Sequence, residues 1–190
     1  MLLRVDARGG STYLGRMAFL PIITAPDPRL KIKARKVSVV DDKVRRLMDD
    51  MVETMYRAIG IGLAAPQVGV TLRVVVVDVA REGEKPAPLR IANPEILWRS
   101  EETALANEGC LSLPEHYADV VRAAEIRLRY VDYENEIREI AAKGLLATCL
   151  QHEIDHLDGV LFVDHISALK RGMILRKLTK AKRSRTLAPA

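Results

Sequence analysis

The chain has little cysteine, no long apolar run and no internal repeat, and each of these absences excludes a class of protein. Cys110 and Cys149 are the two cysteines in 190 residues, too few for the disulfide framework of a small secreted domain. No apolar run approaches the roughly 20 residues that a membrane-spanning helix needs. With 48% hydrophobic and 29% charged residues, the composition is typical of a globular protein. We therefore predict one domain with its own core.

Acidic residues are absent after Asp164, and this end of the chain is strongly basic. Eight positive side chains follow, and removing them from the formal total of +5 leaves −3 for the rest of the chain. They are Lys170, Arg171, Arg176, Lys177, Lys180, Lys182, Arg183 and Arg185. The pattern predicts docking to a polyanion such as RNA. The alternative is a solvated helix end that favours positive charge through its dipole.

Residues 1–16 have neither the apolar core of a secretory signal nor a helical or strand period. A more structured stretch begins at Met17. We therefore predict an N-terminal extension at 1–16 and a single domain at 17–190. Arg4, Arg8 and Arg16 leave an organellar presequence open, but sixteen residues is short for one.

Apolar spacing predicts an α+β domain. Residues 41–58 repeat apolar side chains at intervals of three and four, which indicates an amphipathic helix. Helices are also predicted at 145–157 and from Ser167 onward, and the Gly- and Pro-rich segment 61–69 is predicted to be irregular. Strands are predicted at 72–77, 89–93, 96–103, 119–132 and 137–141. This order predicts mostly antiparallel sheets packed around a central helix, with an N-terminal and a C-terminal helix.

The predicted central helix carries an H-E-x-x-H string at residues 152–156. At helical spacing, His152 and His156 are neighbours on one face and can bind a single metal ion. Glu153 lies beside that face, where a carboxylate can take a proton from metal-bound water. The alternative is a charged, solvated helix that happens to carry two histidines. With four histidines in the whole chain, a chance match is unexpected.

Two histidines leave a catalytic metal site one protein ligand short. The downstream pattern H-x-x-G-x-x-H is absent because Phe162 occupies its last position. Asp164 and His165 remain possible downstream ligands. Upstream, Cys110 follows Gly109, where the backbone can approach a site closely. A thiolate beside two imidazoles suits Zn or Fe(II) better than Mg or Ca. The alternative for Cys110 is a buried core residue.

Three segments together resemble the motifs of bacterial peptide deformylases. They read G-I-G-L-A-A-P-Q at 60–67, E-G-C-L-S at 108–112 and Q-H-E-I-D-H at 151–156, and their order and separations also fit. The resemblance covers roughly residues 19–179. It implies a metal-dependent hydrolase that removes the N-formyl group from the formylmethionine of newly made polypeptides and releases formate. It also implies a bacterial, cytoplasmic enzyme without a DNA or membrane partner. The basic C-terminal segment leaves the ribosome open as a partner.

The resemblance also implies a role for each site residue. Cys110, His152 and His156 would hold the metal, with water in the fourth position. Glu153 would accept the proton of that water and deliver it to the departing amine. The side-chain amide of Gln67 and the backbone N–H of Leu111 would stabilise the oxyanion. Residues expected to border the substrate are Ile61, Gly62, Gly109, Leu145 and Cys149. Fe(II) is the expected metal in cells, and Zn, Ni or Co is possible in purified protein.

Two other classes of protein remain open at this point. A zinc peptidase with a downstream third ligand would cut internal peptide bonds. A basic binding module would have a closed structural metal site with four protein ligands. The chain also departs from the family pattern, because Tyr117 stands where many relatives have arginine. His116 or Arg122 would then have to orient the site instead.

Overall fold

The computed structural model describes residues 19–81 and 83–187, with side chains described as far as residue 183. The predicted extension at 1–16 lies outside the described residues, so the domain boundary at Met17 stays a prediction. Within the described residues, no helix combines the length and the apolar character needed to pass through a lipid bilayer.

Seven strands in the described part of the chain form two antiparallel sheets. In chain order they are β1 (Gly62–Ala64), β2 (Val74–Val77), β3 (Leu89–Arg99), β4 (Thr103–Cys110), β5 (Leu113–Ala123), β6 (Glu125–Val131) and β7 (Ile137–Lys143). Five of them form a sheet in the order β1-β2-β3-β6-β7, and β4 pairs with β5 in a separate hairpin. The α+β prediction with mostly antiparallel sheets is confirmed.

In the same described residues, three α-helices accompany the sheets: α1 (Asp42–Arg57), α2 (Gly144–Leu157) and α3 (Ala168–Leu187). The side chain of Asp41 accepts hydrogen bonds from the backbone N–H groups of Lys43 and Val44, which caps α1. Helix α2 contacts β1, β2 and β7 of the large sheet and β5 of the hairpin. It is therefore the central helix that the sequence predicts. Short 3₁₀ helices lie at Pro28–Lys31, Ala65–Val68 and Phe162–His165.

Strand β2 is buried on both faces, which explains its uninterrupted run of valines. Because side chains alternate along a strand, Val75 and Val77 pack toward α2 while Val74 and Val76 pack toward α1. A third cluster, which includes Leu113, Phe162 and Leu178, joins the hairpin to α3. The large sheet thus holds α2 on one side, and the hairpin closes over that helix.

The structure corrects three parts of the predicted secondary structure and adds one strand that was not predicted. The predicted strands at 89–93 and 96–103 are mostly one strand, β3, with an irregularity after Ala92. The predicted strand at 119–132 is two strands that separate at Ala124. The segment 61–69 contains β1 and a 3₁₀ helix, although it was predicted to be irregular. Strand β4 went unpredicted because its alanine, asparagine, glutamate and glycine residues have low β propensity.

Candidate active site

Three potential metal ligands converge where the hairpin meets α2. The Sγ atom of Cys110 lies 3.2 Å from Nε2 of His156, and the Nε2 atoms of His156 and His152 are also 3.2 Å apart. All three ligand atoms lie within 4.8 Å of one another. Ligands bound to one ion at about 2.0–2.3 Å are expected to be this close together. Both histidines are buried, so the solvated-helix alternative is excluded.

The donor set fits a divalent metal ion. One thiol sulfur and two imidazole nitrogens suit Zn or Fe(II). A further ring nitrogen, Nδ1 of His156, and the Oε2 atom of Glu153 are buried without a hydrogen-bond partner among the described residues. Buried polar atoms normally have partners, so their presence here marks the region as a site rather than as core.

Glu108 orients the ring of His152 by contacting the nitrogen that does not face the other metal ligands. Its Oε2 atom lies 2.8 Å from Nδ1 of His152, which leaves Nε2 of that ring for the metal. The guanidinium of Arg122 donates two hydrogen bonds to Glu108, at 2.7 and 2.9 Å. Burial alone would raise the pKa of Glu108, but the hydrogen bonds from Arg122 and His152 outweigh it and lower the pKa to about 2. Glu108 is therefore an anion at neutral pH.

Arg122 also binds Asp155, and the two possible downstream ligands, His165 and Asp164, contact groups outside the metal cluster. The Nη1 atom of Arg122 lies 2.6 Å from Oδ2 of Asp155, and the same carboxylate oxygen lies 2.7 Å from Nε2 of His165. Asp164 accepts a hydrogen bond from the backbone N–H of Leu161 and pairs with Arg171. Among the described residues, the only group of three or more potential ligands is the one completed by Cys110.

Glu153 lies beside the metal ligands under the backbone of β1. A Cβ atom added to Gly62 would come within 2.3 Å of Oε1 of Glu153 and 2.8 Å of Sγ of Cys149. Burial raises the pKa of Glu153 to about 7, although the nearby His152 lowers it and Glu108 raises it further. A carboxyl group with a pKa near neutrality suits general acid–base chemistry.

Gln67 points its amide nitrogen at the metal ligands. The backbone N–H of Ala64 donates to Oε1 of Gln67 at 2.7 Å, which fixes the orientation of the amide because that contact requires an acceptor. The Nε2 atom then lies 3.5 Å from Sγ of Cys110 and 3.2 Å from Oγ of Ser112. Leu111 occupies the turn directly after Cys110 and lines the same cavity.

A cavity of about 850 Å³ opens over these groups. All five residues predicted to border the substrate line it: Ile61, Gly62, Gly109, Leu145 and Cys149. Burial raises the pKa of the Cys149 thiol, so that side chain is neutral and adds an apolar wall. Leu145 is 56% exposed and lies toward solvent. The cavity therefore combines an apolar floor with the polar groups around Cys110.

Tyr117 lies opposite Gly109 in the hairpin, with its ring against that glycine. Of the two residues considered as replacements for the family arginine, His116 lines the cavity, whereas Arg122 lies buried behind Glu108. Sequence reasoning missed Glu108 and Asp155 as partners of Arg122. The signal that could have found Glu108 is its spacing of two from Cys110, but it has meaning only once β4 is known to be a strand.

The fold and the site together define a metal-dependent hydrolase. A family model described as "Polypeptide deformylase" matches residues 19–172. A peptide deformylase from Methylocella silvestris is 58% identical over 168 residues, covering 87% of this chain and 86% of the relative. One from Phenylobacterium zucineum is 55% identical over 86% of this chain and 97% of its own length.

Solved structures agree with these relatives. A crystal structure of peptide deformylase from Ehrlichia chaffeensis has a TM-score of 0.85 at 41% identity, covering 90% of this chain and all of that one. A complex of the Ehrlichia chaffeensis enzyme with actinonin has a TM-score of 0.84 at 43% identity, covering 88% and 99%. The chain belongs to the polypeptide deformylase family. It is a hydrolase that removes the N-formyl group from the N-terminal formylmethionine of newly synthesised polypeptides, releasing formate.

Proposed function

We propose that the chain removes the formyl group at the Cys110, His152 and His156 site, with Glu153 as the general acid–base. The observation that carries this proposal is that the ligand group lies within 4.8 Å and shares a buried cavity wall with an unpaired carboxylate. A closed structural metal site would need a fourth protein ligand. The cavity instead leaves room for substrate beside the ligands.

A divalent ion held by Cys110, His152 and His156 would supply Lewis-acid activation of a water molecule and of the formyl carbonyl. We propose Fe(II) as the metal in cells, with Zn, Ni or Co possible in purified protein. The thiolate and imidazole donors fit both Fe(II) and Zn, so the preference for Fe(II) rests on the family resemblance.

Glu153 accepts a proton from the attacking water at its Oε2 atom and then delivers it to the departing amine. The unpaired state of Oε2 supports this role, because no protein hydrogen bond among the described residues competes for it. The raised pKa of Glu153, about 7, also allows the carboxyl group to act in both directions near neutral pH. Gly62 leaves the space in which this carboxylate lies.

Gln67 and Leu111 stabilise the negative charge that develops on the formyl oxygen. The amide nitrogen of Gln67 faces Cys110 and donates from one side. The backbone N–H of Leu111, in the turn after β4, donates from the other. Removing one such donor typically lowers kcat by about 100- to 1000-fold.

The formylated peptide lies between two walls of the cavity. Its backbone runs against Ile61 and Gly62 on one side and Gly109 on the other. The methionine side chain lies against Cys149 and Leu145, since an apolar wall with a neutral thiol suits a thioether. The cytoplasm is the proposed location, and 17–190 is the proposed catalytic domain.

Formate release from a formyl-Met peptide tests the proposal. We expect the metal-replete wild type to release one formate per peptide and Glu153→Ala to lose about 1000-fold or more in kcat while retaining the metal. Cleavage of an internal peptide bond is measured in parallel, because a peptidase would show it. If metal-replete wild type released no formate, the proposal would be wrong.

A further inference from the structure

A second groove begins where the catalytic cavity ends. It has a volume of about 310 Å³ and lies between the β4–β5 hairpin and α3. Asn107 and Tyr117 line both the groove and the catalytic cavity, so the two adjoin at these residues. Neither the metal ligands nor Glu153 lines the groove.

Helix α3 presents two lysines to this groove. Lys170, Met173, Ile174 and Lys177 follow the helical spacing of three, four and seven, so they share one face of α3, and all four line the groove. Both lysines belong to exposed positions. The opposite wall carries Asp119, whose Oδ1 accepts a hydrogen bond from Asn107 at 2.7 Å. Two ammonium groups against one engaged carboxylate leave the groove positive.

The geometry points to this groove as a subsite for acidic side chains of the formylated peptide, downstream of its methionine. The formyl group blocks the amino end of the substrate, so the peptide extends only on the carboxyl side of its methionine. With the formyl group at Cys110, that part of the peptide must pass through the opening of the cavity. Asn107 lies three residues before Cys110 on β4, which corresponds to about 10 Å at roughly 3.3 Å per residue. An extended peptide beside β4 therefore reaches the groove with about its third to fifth residue.

The occupant is the substrate's own chain because the groove borders the catalytic cavity at Asn107 and Tyr117. A glutamate or aspartate at the right position brings its carboxylate to Lys170 and Lys177, while its methylene groups pack on Met173. Exposed ion pairs are weak, so the effect is a modest preference rather than a requirement. It must also decrease with salt, because exposed charges are screened within about 10 Å at 0.1 M ionic strength.

Matched hexapeptides test the inference, which rests on the proposed function of the Cys110 site. Each peptide begins with formyl-Met and carries glutamate or glutamine at one of positions three to six, with alanine elsewhere. At low salt, we expect kcat/KM to be about three- to fivefold higher with glutamate than with glutamine at one of positions three to five. At position six, the two peptides should have about the same kcat/KM. The preference should vanish at 0.5 M NaCl.

Variants then assign the preference to the groove. The double variant Lys170→Gln/Lys177→Gln should bring the glutamate-to-glutamine ratio of kcat/KM to about one. The double variant Lys170→Glu/Lys177→Glu should reverse the preference, so that a peptide with lysine at the same position has a higher kcat/KM than one with glutamate. Lys36→Gln/Lys43→Gln removes the same charge from exposed positions that line neither cavity, and should keep the wild-type ratio.

Two results would overturn the subsite. One is a glutamate-to-glutamine ratio of one at every position in the wild type, which is the result expected if the lysines serve only to bind RNA. The other is a preference that survives in the glutamine double variant. If glutamine peptides are hydrolysed in either case, the deformylation proposal stands and the subsite alone fails. If no formyl peptide is hydrolysed, the proposed function fails first.

Discussion

Gly62 has no side chain at the point where β1 crosses the acid–base group. An added Cβ would lie 2.3 Å from Oε1 of Glu153, far inside van der Waals contact. We expect Gly62→Ala to displace the Glu153 carboxylate and to lower kcat for formate release by about 100-fold, since a misplacement of about 1 Å has that effect. Metal content should stay at one ion per chain, because the three ligands lie outside this contact.

Gly172 is the matched control for this substitution. It lies within α3, and a Cβ added there meets no atom within 4 Å. Gly172→Ala should therefore leave kcat unchanged and raise the free energy of unfolding by about 0.5–1 kcal/mol. A fully active Gly62→Ala would contradict the position proposed for Glu153 in the reaction.

Substitutions at Cys110 and His165 distinguish an upstream third metal ligand from a downstream one. Cys110→Ser is expected to reduce metal content by at least about tenfold after dialysis, because a neutral hydroxyl replaces a thiolate donor. His165→Gln should keep the metal, since His165 contacts Asp155 instead of the ligand group. Elemental analysis of anaerobically purified protein measures both variants beside the wild type.

The same samples test the identity of the metal. Iron is the expected ion in the wild type, and a thiolate-bound Fe(II) site should lose activity on exposure to air. Stoichiometric zinc with full activity would contradict the Fe(II) proposal. A metal-free His165→Gln variant would instead support the downstream ligand set of a zinc peptidase.

At the residue scale, the site was largely predictable because its chemistry depends on residue type and spacing. His152 and His156 meet on one face of any helix that contains them. Cys110 could be matched to them only as the missing third ligand. The contact between Glu108 and Arg122 could not be predicted, because it depends on the pairing of β4 with β5. The number of residues between these two positions does not by itself indicate that their side chains meet.

At the element scale, the hairpin is fastened to α2 by a buried ion-pair network. Arg122 of β5 binds Glu108 of β4 and Asp155 of α2, and both Arg122 and Glu108 are almost fully buried. Breaking a buried pair typically costs about 3–5 kcal/mol. The network therefore holds Cys110, at the end of the hairpin, against the two histidines of the helix.

Glu108→Gln should reveal this link through the pH dependence of stability. The folded pKa of Glu108, about 2, lies below its ordinary value of 4.5. Its contribution is therefore complete above about pH 4.5 and is lost as the pH falls toward 2. In urea unfolding of the metal-free protein, we expect the variant to be roughly 3 kcal/mol less stable at pH 7, with the difference closing toward pH 2.

The surface pair of Arg129 and Glu139 provides the control for this experiment. Both side chains are nearly half exposed, so Glu139→Gln should change the free energy of unfolding by less than about 1 kcal/mol at either pH. A Glu108→Gln difference that stayed constant from pH 7 to pH 2 would argue against the carboxylate as its source.

The elements divide into those that local sequence determines and those that tertiary pairing determines. Helix α1 was predicted within one residue at each end, because its apolar period and the Asp41 cap are local signals. Strand β4 has no such signal, and its eight residues form a strand because β5 pairs with them. Strand β1 is only three residues long and depends in the same way on β2.

At the scale of the whole molecule, the catalytic body and the basic end of the chain carry opposite formal charges. Every ionisable residue after Asp164 other than His165 is basic, and α3 contains all eight of these positive residues. We propose that this end binds ribosomal RNA and so brings the cavity near emerging polypeptides. The dipole alternative accounts for positive charge in the last turn, but not for lysines along the whole helix.

Truncation after Thr179 tests this proposal and keeps the described core. It keeps Leu178, which is buried against the hairpin, and removes Lys180, Lys182, Arg183 and Arg185. The formal charge falls from +5 to +1, so we expect ribosome binding at low salt to weaken by at least about tenfold. The slope of log K against log salt should become shallower by up to about 3–4, because fewer phosphates are neutralised. Formate release from a short formyl-Met peptide should be unchanged, since none of the removed residues with described side chains (180–183) lines either cavity. Ribosome binding that matched the full chain in both affinity and salt slope would show that the basic end is simply a solvated helix terminus.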